Sequence, residues 1–396
     1  NPFTQGVVSS IPTATLTDVE AALISAKHGF EISRNLARYQ RANILAATAA
    51  IVRQELEAFA LLIVSEAGKT IVQARKEVSR CINTLELSAE EAKRLSGEVI
   101  PFDSFEGAMG RQGYTHLDPL GIVLAITPFN DPLNLVAHKL GPAVAAGNSV
   151  ILKPSELAPL SAIKLVDAFV RAGLDQQIIS VVVGDANIGS TLVCADDIRM
   201  VSFTGGMETG EAITRIAGLK KMTMDLGGNA PVIVMADSDL DKAVAATVSG
   251  AFWASGQNCI GTQRIFIERS VFDKFSADFV AQTQALIVGN PLNEATDVGP
   301  MITPEQSLRI QSWVADAINQ GAMLLTGHQR NDNLYTPTVL TQVPNTAKLC
   351  MQEVFAPVVI LEPFNSFSEV IAWANCVDYS LHAGIFTSDL ETALKA

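Results

Sequence analysis

Positive charge is scarce in this 396-residue chain: 28 Lys and Arg stand against 41 Asp and Glu, a formal net charge of −13. No run of basic residues offsets that balance. Phosphate neutralisation needs a basic face, so nucleic acid is excluded as a partner. Charged residues make up only 17% of the chain while hydrophobic residues reach 48%, which excludes general disorder and supports a large buried core. Long apolar runs are missing too. The longest uncharged stretch, Ala243 to Gln263, carries Ser249, Gly250, Ser255, Gly256, Gln257 and Asn258, and that polarity argues against a membrane span.

Cysteine and histidine are equally sparse. Cys81, Cys194, Cys259, Cys350 and Cys376 are odd in number, widely spread and free of any C-x-x-C pair, as fits reduced thiols in a cytoplasmic protein. His28, His116, His138, His328 and His382 show no ligand spacing, so no metal site is expected. The opening residues Asn1-Pro2-Phe3-Thr4 lack a charged region followed by an apolar one, and no secretory leader is visible.

What is present is a change of pattern along the chain. At roughly 100 to 200 residues per domain, the length suits two domains. Thr17-x-x-Glu20 reads as a capping box before the apolar-periodic Val19, Ala22, Leu23 and Ala26. Helical periodicity runs from about Asn35 to Ala67, is stopped by Gly68, and resumes from Ile71 to about Leu95. From Gly121, short apolar runs (Gly121 to Ile126, Ser149 to Leu152, Ile178 to Val183, Met200 to Phe203) alternate with helix-length segments, the pattern of buried parallel strands with crossover helices. After Asp225-Leu226-Gly227-Gly228 a second series predicts strand Pro231 to Met235, helix Asp239 to Ala254, strand Arg264 to Glu268 and helix Val271 to Val288. The fold class is therefore α/β, with a boundary near 226. The glycine-rich stretch between the helical start and the first strand, Gly97 to Pro119, reads as a hairpin or arm. No G-x-G-x-x-G follows a strand, so the common dinucleotide fingerprint is absent. Gly184 and Gly189, and Gly205, Gly206 and Gly210, form only looser turns after strands, which is ordinary turn chemistry when taken alone.

Polar residues gather at the ends of these strands. Thr127-Pro128-Phe129-Asn130 closes the first, Lys153-Pro154-Ser155-Glu156 the second, and Phe203-Thr204-Gly205-Gly206 a later one, while Asp225-Leu226-Gly227-Gly228 precedes Gly256-Gln257-Asn258-Cys259. Parallel sheets put ligands at the carboxyl ends of their strands. A lone cysteine is more often buried and inert, but in this order the set resembles the aldehyde dehydrogenase superfamily. Glu353-Val354-Phe355-Ala356-Pro357 is similar to that family's E-x-F-G-P signature, and the resemblance runs over nearly the whole chain.

The resemblance implies a Rossmann-like coenzyme domain at 1–97 and 120–225, an oligomerisation β-arm at 98–119 and an α/β catalytic domain at 226–396. It implies NAD(P)-dependent oxidation of an aldehyde to its acid through a thiohemiacetal and thioester on Cys259, with Asn130 and the Cys259 N–H stabilising the oxyanion. Asp225 stands where the family has its Glu base; the shorter carboxylate activates water or caps the glycine turn. Thr127, Pro128, Lys153, Ser155, Glu156, Gly184, Gly189, Thr204, Gly205, Gly206, Leu226, Glu353 and Phe355 are the implied cofactor contacts. Glu156 favours NAD, with NADP possible, since a carboxylate repels a 2′-phosphate. Gly206 replaces a common phosphate-binding Ser.

Asp131, His138 and Asn258 point to a small polar aldehyde, His138 bonding a hydroxyl or an anionic group, or else standing as a satisfied core histidine. The run P-F-N-D-P-L-N-x-x-x-H-K resembles the branch acting on lactaldehyde, glyceraldehyde phosphate or phosphonoacetaldehyde. Two alternatives follow from the departures at 225 and 206: a coenzyme A-acylating dehydrogenase, and a non-catalytic NAD-binding homologue. Family members continue past the segment matching Tyr379 to Leu390 through a P-F-G-G-like stretch and a tail strand. The C-terminal end is thus expected to be missing here, and a homodimer or homotetramer is expected where that tail is present.

Overall fold

The computed structural model describes all 396 residues, which divide into two compact units. One comprises residues 10–60 and 75–225, the other 1–9, 61–74 and 226–396. The chain thus changes unit between Asp225 and Leu226, but 1–9 and 61–74, expected with the coenzyme domain, cluster with 226–396.

The first of these units holds a five-stranded sheet of β1 (Ile122–Ile126), β2 (Ser149–Lys153), β3 (Ile179–Val181), β4 (Ile198–Gly205) and β5 (Lys221–Leu226), in the order β3-β2-β1-β4-β5. β1 pairs in parallel with β2 and β4, and β2 with β3. These strands read as continuous apolar runs because both faces are covered: Leu124, Val150, Ile151, Leu152 and Val201 are fully buried, as are Leu140, Val144, Leu165 and Phe169 on the crossover helices Asn134–Ala145 and Leu160–Arg171. Each large apolar side chain removed from water contributes about 1.5–3 kcal/mol. Successive strands are added on one side of β1 and then, at β4, on the other. The carboxyl ends of β1 and β4 therefore flank a topological switch point, the usual place for a ligand in such a sheet.

Three expectations shift here. The first helix, Leu16–Ser33, begins two residues earlier than read, at N-cap Thr15: Asp18 accepts from the Thr15 N–H and hydroxyl at 2.7 Å each, and the Thr15 hydroxyl caps the Asp18 N–H. The overlapping sequence Thr15-Leu16-Thr17-Asp18-Val19-Glu20 offers two boxes, and the earlier one closes. The single helix expected over 35–67 is two, Arg38–Gln54 and Leu56–Ala67. They break at Glu55 (φ −102°, ψ 21°), whose carboxylate reaches Lys164 at 2.7 Å and Arg171 at 2.6 Å. The expected arm carries a single antiparallel bridge, Val99 to Tyr114, extended by the Ile100 N–H to Gly113 and Thr115 N–H to Glu98 hydrogen bonds, and a short 3₁₀ turn at Phe102–Ser104. Val99, Phe105, Met109 and Tyr114 project from it into solvent.

The other unit is built on a six-stranded sheet, β13-β6-β7-β12-β11-β8, of β6 (Ala230–Val234), β7 (Thr262–Glu268), β8 (Met323–Thr326), β11 (Thr338–Thr341), β12 (Val358–Phe364) and β13 (Gly384–Phe386), with β9 (Arg330–Asn331) and β10 (Leu334–Tyr335) forming a small antiparallel pair. Only β8 runs antiparallel within the larger sheet. Side-chain alternation sends Val232, Val234, Ile265, Ile267, Val339, Val359 and Leu361 into one core with Phe275 and Phe279. Leu340, Val358 and Ile360 face another with Ile310 and Val314, while Ile233 and Phe266 pack with Val370. No helix of the chain is long and apolar enough to cross a membrane.

Candidate active site

In the β1–β5 unit, register does the assembling. Ile126 pairs with Lys153 on one side and Phe203 on the other, so the ends of three strands lie in a row. Thr127 follows β1 with its N–H bonded to the Lys153 carbonyl at 3.2 Å, and Thr204 closes β4. The Thr127 hydroxyl is buried without a hydrogen-bond partner, an unusual state for a polar group at a strand end, and one that a bound ligand would relieve. Lys153 Nζ lies 3.7 Å from Glu156, and burial lowers the amine's pKa against the opposing pull of Glu156 and Asp185. Ser155 turns inward to accept the Leu157 N–H at 3.3 Å, so its part is to shape the loop. Gly184 leaves room for Ile188, since a Cβ there would lie 2.8 Å from its side chain, while one on Gly189 would only come into contact with the Lys153 stem at 3.4 Å. Gly206 is the bare N-cap of the helix Met207–Ile216, with open space where a side chain would stand. Its exposed N–H groups and dipole make an anion cradle. This set of residues fits a dinucleotide: an orphan hydroxyl, an amine beside a carboxylate, and an uncapped helix start.

Asn130 is 7% exposed, and the loop it sits in is fastened from the helix Ile71–Arg94. The buried Glu77 carboxylate accepts from the Leu133 and Asn134 N–H groups at 2.9 and 3.1 Å, taking the place of a cap that Leu133 itself cannot provide. Arg80 donates to both oxygens of Asp131 at 3.1 and 3.0 Å. Thr84 donates to Asn134 at 3.1 Å. His138 is accessible to solvent yet closely surrounded; desolvation lowers its pKa, as do Arg80 and Lys139, against Asp131 and Asp225. Next to it Lys139 is buried, donates to Ser202 at 3.1 Å, and is pushed down to about 8 by desolvation, with Asp225 opposing. Asp225, on β5, accepts from the Thr204 hydroxyl at 3.2 Å. The site residues Asn130, Asp131, His138, Thr204 and Asp225 thus belong to one connected neighbourhood.

Cys259 lies in the other unit, partly buried in the turn that precedes β7. Cys81 and Cys350 are buried, and burial raises both thiols, Cys350 to about 12, which leaves them poor nucleophiles at neutral pH. The helix expected to reach Ala254 stops at Phe252. Ala254, Ser255 and Gly256 then take three consecutive left-handed conformations (φ 51°, 58° and 67°). Outside contacts hold this costly turn: Gln73 accepts the Ala254 N–H at 3.1 Å, Ser255 donates to the Gly299 carbonyl at 2.9 Å, and Gln257 accepts the Ile302 N–H at 2.9 Å. Gly256 passes so close to Ala356 that a Cβ would stand 2.1 Å from its carbonyl oxygen. Asn258 uses its side-chain carbonyl on the Ile260 N–H at 3.1 Å, so its amide group serves the turn.

Glu353 accepts the Gly228 N–H at 3.2 Å, and a Cβ on Gly227 would stand 2.1 Å from its carboxylate and displace it. Burial pushes Glu353 up to about 7, against the Gly228 N–H and Arg309. Phe355 is left-handed (φ 49°). Asn229 and Gln263 grip the 349–354 segment through the Cys350, Leu349 and Gln352 carbonyls and the Val354 N–H. Leu226 enters this unit directly from Asp225. Gln73, Glu77, Arg80 and Gln263 belong to no motif and are not legible in the sequence; Lys139 stands in the H-K run, whose pattern assigns it no role.

The family model for the aldehyde dehydrogenase family matches residues 1–396. The chain is 55% identical over 396 residues to aspartate-semialdehyde dehydrogenase 1 of Pseudomonas canavaninivorans, covering 100% of this chain and 84% of the relative. It is 42% identical over 397 residues to 3-sulfolactaldehyde dehydrogenase of Priestia aryabhattai, covering 100% and 83%. Among solved structures, glyceraldehyde-3-phosphate dehydrogenase GapN of Methanocaldococcus jannaschii, complexed with NADP, superposes with a TM-score of 0.96 at 40% identity, covering 100% of this chain and 86% of that one.

Proposed function

Since the chain belongs to the aldehyde dehydrogenase family, we propose that it oxidises a small polar aldehyde to the carboxylic acid with NAD or NADP, Cys259 being the nucleophile. The observation that carries this reading is the turn before Cys259: three left-handed residues fastened by Gln73, Ser255 and Gln257 serve to hold one thiol in one place. Cys259 sulfur adds to the carbonyl carbon, and the resulting alkoxide is stabilised by the Asn130 amide and the Cys259 N–H. The nicotinamide cofactor, when bound, supplies the acceptor for the hydride lost from that carbon. Thr127, Lys153, Glu156, Thr204, the start of the helix after Gly206, Glu353 and Phe355 are the residues that would hold it. Asp225 then takes a proton from water as the water attacks the thioester, releasing the acid and the thiol.

The engagement of Asp225 by Thr204, together with its short side chain, favours a second reading in which coenzyme A accepts the acyl group. We assign the exposed apolar residues of the 98–119 arm, Val99, Phe105, Met109 and Tyr114, to self-association.

The test is a panel of short polar aldehydes with NAD or NADP, with and without coenzyme A. Reduced cofactor and free acid are expected, and Cys259→Ala abolishes both. No turnover with any aldehyde, or an undiminished rate in Cys259→Ala, defeats the proposal. Acyl-coenzyme A as the sole product selects the second reading.

A further inference from the structure

Arg264, on β7, is 3% exposed, yet no carboxylate pairs with it. Its donors go instead to carbonyls, one amide oxygen and a sulfur. Nε donates to Asn229 Oδ1 at 2.7 Å, Nη1 to the Trp373 carbonyl at 2.8 Å and Cys376 Sγ at 3.7 Å, and Nη2 to the Asn229 and Ala374 carbonyls at 3.1 Å each. A guanidinium taken out of water without a counter-charge costs stability, and an apolar side chain of like volume commonly serves a core better. Stability alone therefore does not account for it there.

Its acceptors lead to one place. A side-chain amide has one accepting and one donating end, so the guanidinium decides which way Asn229 faces: Oδ1 towards Arg264, and Nδ2 towards the Cys350 and Gln352 carbonyls at 2.8 and 3.0 Å. Trp373 and Ala374 end the helix Phe367–Ala374, a carbonyl terminus that favours a cation. The loop leaving that end brings Tyr379 back, and its hydroxyl oxygen accepts the Glu353 N–H at 3.3 Å. Glu353 is thus held from two directions that meet at Arg264, while its carboxylate accepts the N–H of Gly228, the residue before Asn229.

We propose, resting on the reading above, that Arg264 is a positioning residue for the nicotinamide cofactor: through Asn229 and the end of the helix Phe367–Ala374 it sets where the Glu353 carboxylate stands. Lys in its place keeps the charge but loses the planar fork, and one ammonium cannot span Asn229 and the helix end together. Asp in place of Asn229 separates positioning from stability. Its carboxylate still accepts from Arg264 and supplies the missing counter-charge, but it has no N–H for the Cys350 and Gln352 carbonyls.

The experiment titrates NADH and NADPH by fluorescence and records melting temperatures for the wild type, Arg264→Lys, Asn229→Asp, Glu353→Ala and the double variant Arg264→Lys/Glu353→Ala. Arg264→Lys and Asn229→Asp are each expected to weaken binding by roughly tenfold, the range of one charge-assisted hydrogen bond, with Asn229→Asp melting at or above the wild-type temperature. The double variant binds no more weakly than Glu353→Ala, because Arg264 acts through Glu353. Wild-type affinity in folded Asn229→Asp overturns the proposal, whether or not Arg264→Lys folds. So does a double variant in which the two losses add in full. A wild-type chain that binds neither dinucleotide defeats the dehydrogenase reading, and this proposal with it.

Discussion

A single carboxylate shows most plainly what one residue decides. Asp225 accepts from Thr204 and lies within electrostatic reach of Lys139. If it is the base for deacylation, Asp225→Asn keeps the first turnover and loses the rest. A rapid-mixing burst of about one reduced cofactor per thiol is expected, followed by a steady rate at least roughly 10²-fold below wild type. An unchanged steady rate removes Asp225 from the reaction. The motif residues were legible in the sequence because each sits in a short run with polar, Gly or Pro neighbours at a strand end. Arg80 was not, because its meaning lies wholly in Asp131, 51 residues away. Glu77 was hidden for the same reason: a carboxylate in the middle of a helix reads as a solvated face until its partners on another element are known.

At the scale of the element, the apolar strands and the long helices were legible from their burial period, and their ends were not. Glu55 interrupts an otherwise acceptable helical run through ion pairs to Lys164 and Arg171, and no window around Glu55 contains those partners. Hydrogen bonds from Arg171 and Lys164 hold the Glu55 carboxyl down to about 2. The turn before Cys259 was likewise invisible beyond its one glycine, since Ala254 and Ser255 are ordinary helix residues by propensity. Gly256 is where that turn is most vulnerable: its φ of 67° penalises any Cβ, and the Ala356 carbonyl occupies the space. Gly256→Ala is expected to lose about 2 kcal/mol or more of stability and to slow alkylation of Cys259 by iodoacetamide. A melting temperature and labelling rate equal to wild type count against a rigid turn as the thiol's support.

Across the whole molecule, two partly buried carboxyls make stability depend on pH in the direction opposite to ordinary acid denaturation. Burial raises Glu362 from 4.5 to about 7, and its oxygen accepts the Val343 N–H at 2.8 Å; Glu353 shares the sign. The folded chain binds more protons than the unfolded one between the ordinary and the raised values, so this contribution is present at low pH and is lost as pH rises through about 7. Glu362→Gln keeps an acceptor for Val343 and removes the titration. Between about pH 5 and 8, unfolding free energy should fall by about 2–3 kcal/mol less in Glu362→Gln than in wild type; parallel pH profiles reject the assignment. The two α/β series and the switch of unit at 225/226 were visible as a change in sequence pattern. The membership of 1–9 and 61–74 was not, because apolar helical residues announce burial without saying against what. That membership carries a consequence for biosynthesis. A ribosome delivers residues in order, so Ile63, Val64, Ala67 and Ile71, all buried in the finished molecule, emerge well before Pro291, Asp297 and Ala254, whose backbones meet Ile71 and Gln73. For the time it takes to translate some two hundred residues, at about 5–20 per second, a greasy early segment waits for its late partners, and that interval is when the nascent chain most needs a chaperone.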